Sequence, residues 1–184
     1  MTRMQDEVIT GIANLIESRD GSTGLHVKNT QNYVQILTKA LREKGMYPDI
    51  LDHNYELNTV KASVLHDIGK IKTPDAILLK PGRLTDEEFE VMKQHTVAGC
   101  EIIDRIIGNV EHEEYVDIAR KIARYHHERW DGTGYPDGLS GEEIPLCARI
   151  MALADVFDAL YQDRCYKLSV IHISEPTRRR GISY

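Results

Sequence analysis

Apolar residues recur along the chain at the three-to-four-residue spacing of helices buried on one side. Val8, Ile9, Ile12, Leu15 and Ile16 fall on one stripe, and Val34, Leu37 and Leu41 continue the pattern in a second segment from about His26 to Glu43. The stretch from Gly45 to Asn58 holds Gly45, Pro48, Asp49 and Asn54 and reads as a loop. It leads into a strongly apolar third helix carrying Val60, Ala62, Val64 and Leu65 and ending near His66 and Asp67. Thr85-Asp86-Glu87-Glu88 is a capping-box pattern, with Thr85 able to cap and Glu88 able to reach back, so a fourth helix starts at Asp86. Further helices are predicted from Glu114 to His126 and from about Pro145 to Tyr161, separated by a Gly-rich loop from Trp130 to Gly141. No strand alternation is convincing, and the expected class is all-α.

The chain has 184 residues, 41% of them hydrophobic, which fits one soluble domain with a real core. No apolar run approaches the roughly 20 residues that cross a bilayer, so no membrane span is expected. Met1 is followed by a mixed segment without a secretory pattern, and the expected compartment is the cytoplasm. Cys100, Cys147 and Cys165 are odd in number and form no CxxC pair, which argues against a disulfide framework or a thiolate zinc site. A formal net charge of -6 argues against a nucleic-acid polymer as partner. An anionic substrate would therefore need local positive charge, which metal ions can supply.

The histidines point the same way. His66 and Asp67 are adjacent at a helix end, and an imidazole and a carboxylate there can converge on one cation while the carboxylate bridges to a second. His126 and His127 are adjacent just before the Gly-rich turn. Asp155 lies among Ile150, Met151, Leu153, Ala154 and Val156, where a carboxylate is costly unless paired or coordinated. Any one of these alone reads as an ordinary core or surface residue, but their combination points to metal. His53 and His112 sit in polar connecting segments and carry no assigned role. In the turn, Gly132, Gly134 and Gly138 admit backbone conformations other residues resist, while Pro136 fixes one torsion. Tyr135 there either contacts ligand or belongs to a purely structural hairpin.

HDIGK at 66–70 with Pro74, then HHERWDGTGYPDGLSG at 126–141, IPLCARI and ADVFDAL together resemble the HD-GYP branch of the HD phosphohydrolases over nearly all of 1–167. The resemblance implies an HD-domain helical bundle holding two adjacent divalent metals, usually iron and sometimes manganese. It implies hydrolysis of the second messenger cyclic di-GMP, ending in pGpG or GMP. Carried over, one metal takes His26, His66, Asp67 and Asp155, and the other takes Asp67, His95, His126 and His127, with Asp67 bridging. Two such cations clamp phosphate oxygens and make a bridging water an in-line nucleophile. Lys70, Arg164 and Lys167 match positions that touch substrate phosphates, and Asp67 and Lys70 are the residues expected to carry catalysis. Two positions depart from the family pattern. Members with a third metal have Glu where this chain has Ser22, so two metals are expected, and an Arg common in the family is Asn29 here. Such domains usually stand behind a sensory or receiver module and meet GGDEF-type signalling partners, and some pair as homodimers. Another nucleotide as substrate, or a non-catalytic module that binds signalling proteins, are the competing readings.

From Leu168 the chain reads LSVIHISEPTRRRGISY, without helical period. It resembles a translated sequencing adapter: Ile171 to Arg178 match the constant part, Arg179 to Gly181 stand as an index, and Ile182 to Tyr184 match the flanking part, with Val170 as a departure. The expectation is an HD-GYP domain over 1–167, C-terminally truncated near Lys167, with 168–184 as a non-native tail that includes His172. An ordinary basic tail is the alternative.

Overall fold

The computed structural model describes residues 3–20, 25–108 and 113–161, and every regular element among them is helical. These are α1 (Arg3–Glu17), α2 (His26–Glu43), α3 (His53–Ala62), the short α4 (Asp75–Leu78), α5 (Asp86–Ile107), α6 (Glu113–Tyr125) and α7 (Leu146–Tyr161). One isolated bridge, Asp131 to Ser140, is the extent of β pairing among the described residues. The all-α class follows. Ser22, His112, Arg164, Cys165, Lys167 and the tail from Leu168 lie outside the described residues. No described helix is long and apolar enough to cross a membrane.

α6 packs at the centre of the bundle. Val116, Ile118, Ala119, Ile122 and Ala123 are all buried, and α5, α3 and α7 pack around it. α2 lies against α3 and α7, bringing Val27 and Val34 to the same core as Ala62, Val64, Met151 and Ala154. The capping box at Thr85 forms as its spacing predicts: Glu88 N–H donates to Thr85 Oγ1 at 3.3 Å and Thr85 N–H to the Glu88 carboxylate at 2.7 Å.

Three expectations need correction. The core face of α1 is Ile9, Ala13 and Ile16, whereas Val8, Ile12 and Leu15 are exposed. The buried stripe is rotated by roughly a quarter turn toward Ala13 and Glu17, because a small residue and a carboxylate occupy core-facing positions that an apolar count passes over. Within the expected loop from Gly45 to Asn58, α3 already begins at His53. Asp52 caps it by accepting from Tyr55 N–H at 2.7 Å, and Glu56 is buried against Arg42. The expected third helix stops as an α-helix at Ala62 and tightens into a 3-10 turn over Ser63–Leu65.

A second 3-10 turn, Ile68–Lys72, lies against α5. Gly69 makes that approach possible, since a Cβ there would stand 1.8 Å from the His95 carbonyl oxygen.

Candidate metal centre

His66 and Asp67 occupy the two residues between the 3-10 turns, and the tight winding on each side turns both side chains into the bundle. His66 is fully enclosed and Asp67 nearly so. Three imidazoles converge on the Asp67 carboxylate: His66 Nε2 at 3.2 Å, His95 Nε2 at 3.3 Å and His126 Nε2 at 3.6 Å. Each has its other nitrogen tied to backbone, His66 Nδ1 to Ser63 O at 2.9 Å, His95 Nδ1 to Met92 O at 2.7 Å and His126 Nδ1 to Ile122 O at 3.0 Å. A carbonyl only accepts, so Nδ1 carries a proton in each ring and Nε2 is the nitrogen left for a metal ion. The three Nε2 atoms and Asp67 Oδ1 are buried without hydrogen-bond partners among the described residues. Buried polar atoms left so are costly unless something else engages them, and convergent lone pairs with fixed tautomers are what a cation requires.

Two overlapping donor groups result. Asp67, His95, His126 and His127 form one, and Glu17, His26, His66 and Asp67 the other, with the ligand atoms in each within 4.8 Å of one another. Asp67 belongs to both. Nitrogen and carboxylate donors of this kind suit a divalent metal ion. Asp155, expected beside His26, is there as a partly exposed neighbour, its Oδ1 3.4 Å from His26 Nε2. The fully buried carboxylate of α7 is instead Asp158. Its Oδ2 lies 2.6 Å from His26 Nδ1, and its Oδ1 accepts from Asn29 Nδ2 at 3.2 Å. Asn29, which stands where an Arg is common in the family, thus holds the residue that orients His26.

The electrostatics follow the burial and the carboxylates. Burial opposes charging His66, but Asp67 foremost, then Asp155 and Glu17, outweigh it and push the imidazole up to about 9. Burial dominates at His95, which is lowered to about 4, and at His127, held well below the ordinary range, where a charge would also be repelled by the neighbouring His126 and His95 rings. Burial likewise opposes charge on Asp67, yet the Lys70 ammonium and the His66 and His126 rings hold its carboxyl well below the usual carboxylate range.

Lys70 Nζ reaches Asp67 Oδ2 at 2.7 Å and Glu17 Oε1 at 3.5 Å. Beside it opens a cavity of about 360 Å³ bordered by Asp67, Lys70, His95, His127, Tyr135 and Asp155. The Tyr135 ring stacks on His127 with centroids 4.8 Å apart, and burial raises its phenol pKa, which keeps it a neutral donor. The loop that carries it is shaped by Glu128, whose buried Oε1 accepts from Asp137 N–H at 2.7 Å and Gly138 N–H at 3.0 Å. Gly134 passes so close to this strand of chain that a Cβ would stand 2.3 Å from Arg129 N.

Sequence reasoning missed three residues of this centre. Asp158 follows Asp155 by one helical turn on the same apolar helix, so the cost of a carboxylate there was a usable signal. Glu17 sits beside Ile16 at the end of an amphipathic stripe, where only the rotated core face reveals it. Nothing in the text around Glu128 announces its role.

Fold and centre together define an all-α domain with a His/Asp site suited to divalent metal. The profile of the family described as HD domain matches residues 12–174. The chain belongs to that family, in the HD-GYP branch that its sequence resembles. A probable cyclic di-GMP phosphodiesterase of Vibrio cholerae serotype O1 is 46% identical over 175 residues, covering 94% of this chain and 39% of the relative. A cyclic di-GMP phosphodiesterase of the same organism is 47% identical over 171 residues, 91% of this chain and 34% of the relative. A 3'3'-cGAMP-specific phosphodiesterase 2, also from that organism, is 39% identical over 161 residues, 88% of this chain and 28% of the relative. The chain therefore spans well under half the length of these relatives.

Proposed function

We propose that the domain is a metal-dependent phosphodiesterase that hydrolyses cyclic di-GMP to pGpG or GMP. The observation that carries this reading is the position of Asp67, common to two largely buried donor groups beside a cavity of about 360 Å³. His26, His66, Asp67 and Asp155 would hold one ion, and Asp67, His95, His126 and His127 the other, with iron or manganese favoured by the imidazole and carboxylate donors. Ions bound there would clamp phosphate oxygens and supply an activated water.

The chain's own residues do the rest. Fixed Nδ1 protons aim the imidazoles without reorganisation, and Asp67 and Lys70 form the catalytic floor. Lys70, 15% exposed at the cavity edge, offers its ammonium to a phosphate oxygen. Tyr135, stacked on His127, presents its phenol to the ligand. Arg164 and Lys167 are proposed to extend the phosphate contacts, as the family resemblance implies. In the whole protein the domain would answer a sensory or receiver module. A second substrate, 3'3'-cGAMP, is raised by the 39% identical relative named for it.

Metal analysis of protein purified without oxygen, followed by product analysis with both cyclic dinucleotides, tests the reading. Metal bound together with pGpG or GMP released from cyclic di-GMP is expected. Metal-loaded protein that cleaves neither dinucleotide would sink it.

A further inference from the structure

We infer that Glu17 is a ligand of the metal site it forms with His26, His66 and Asp67. The inference rests on the metal-centre reading above and adds a donor that neither the sequence pattern nor the family resemblance supplies. Glu17 is the last residue of α1 and 2% exposed, buried on the helix's core side next to Ile16. A carboxylate taken that far from water needs a compensating charge.

Geometry supplies the first argument. The ligand atoms of Glu17, His26, His66 and Asp67 all lie within 4.8 Å of one another, and all four residues are buried. Two donors each about 2.1 Å from one ion stand up to about 4.2 Å apart, so the group closes on a cation with shifts of a few tenths of an ångström. The end of α1 is held in place for this. Arg19, two residues on, donates to the carbonyl oxygens of Lys70 at 3.2 Å, Ile71 at 3.3 Å and Thr73 at 3.3 Å, and pairs with Asp75 at 2.5 Å. α1 is thereby fastened to the turn that follows Asp67.

Charge supplies the second. Glu17, Asp67, Asp155 and Asp158 crowd around His26 and His66, and the Lys70 ammonium is paired with the first two. Glu17 would add a fully buried carboxylate to the donors of this ion, where Asp67 is shared with the neighbouring site and Asp155 is partly exposed. With Glu17 on the metal, Lys70 gives up its pair with Glu17 at the edge of the cavity.

The competing role is a counter-ion for Lys70 that never meets metal. Mn2+ titration of the full 184-residue chain after chelation, read by the electron-spin signal of free Mn2+, separates the two. Glu17→Gln is expected to weaken one Mn2+ site by about tenfold or more, whereas a counter-ion that never meets metal would leave both sites near wild type. Unchanged Mn2+ binding in a Glu17→Gln protein of native helical content overturns the inference, and leaves the phosphodiesterase reading standing. Wild-type protein that binds no Mn2+ or Fe2+ at all overturns both. Should Glu17→Gln not fold, anomalous scattering from Mn2+-soaked wild-type crystals decides: a peak at ligand distance from a Glu17 oxygen supports the inference, and a peak on His26, His66 and Asp67 with Glu17 remote from it overturns it.

Discussion

His26 Nδ1 and Asp158 Oδ2 lie 2.6 Å apart in a part of the core from which solvent is excluded, the carboxylate being wholly buried. The contact fixes the ring so that Nε2 faces Asp155 and the metal-site donors, and a carboxylate behind an imidazole also raises its basicity as a ligand. Asp158→Asn keeps the shape and removes the charge. It is expected to lower metal affinity by about 10- to 100-fold with helical content preserved. Metal titration followed by circular dichroism checks this, and wild-type affinity in the variant would contradict the orienting role.

Asp67 has no substitute, because both donor groups depend on it. Asp67→Ala should lower hydrolysis of cyclic di-GMP by about a hundredfold or more, and His66→Ala by less, since His66 belongs to one group only. Both variants should keep most of their helical signal, as the core rests on residues such as Ile122 and Met151. More than a few per cent residual activity in an Asp67→Ala protein with verified metal loss would falsify the bridging assignment.

What could be read from sequence was what local chemistry dictates. The capping box at Thr85, the end of α2 at Glu43 and the class of every major helix follow from spacing and propensity over a few residues. The histidine pair, HD pair and Gly-Tyr-Pro turn were legible as strings. The start of α3 was not, because Asp52 acts through a cap inside a polar stretch whose helix buries Glu56 and Thr59 more than aliphatic residues. Nor were Glu17 and Asp158: each is a carboxylate on a helical face, and only the fold tells that the face is inward. Polar residues in a core are selected by partners distant in sequence, 132 residues away for His26 and Asp158, which no local pattern records.

The imidazoles predict how chelated, metal-free protein responds to pH. Burial, aided by His126 and partly offset by Asp67, lowers His95 to about 4 against an ordinary 6.5, and burial lowers His127 as well. Between about 6.5 and 4 the unfolded chain therefore binds protons that the folded chain refuses. Their contribution to stability is complete above about 6.5 and is lost as pH falls, by up to about 1.4 kcal/mol per pH unit for each group. His66 has the opposite sign. Its folded value of about 9 lies above 6.5, so its contribution is complete below about 6.5 and is lost as pH rises through about 9. Urea midpoints in chelator should be highest near neutrality and lower at about pH 5 and about pH 9. A midpoint that rises from about pH 7 to about pH 5 would rule out neutral buried histidines.

Gly69 and Gly99 face each other where the turn after Asp67 meets α5, and alanine should be tolerated at one and not at the other. A Cβ on Gly69 would stand 1.8 Å from His95 O and 2.5 Å from Gly99 N, both backbone atoms of a long helix that cannot yield without carrying His95 along. Gly69→Ala is expected to cost about 2–3 kcal/mol, within the range for overpacking, and to weaken metal binding because His95 and Asp67 move apart. At Gly99 the nearest atom is Ala123 Cβ at 3.3 Å, a tight contact with a side-chain methyl group. There the gain in helix propensity, about 1 kcal/mol, offsets the crowding, so Gly99→Ala should fall within about 1 kcal/mol of wild type with metal binding intact. Urea midpoints and Mn2+ titrations of the two variants, measured side by side, provide the check. Equal stability and equal metal affinity would mean that the turn is not seated on the His95 carbonyl and that the Asp67–His95 distance is set elsewhere.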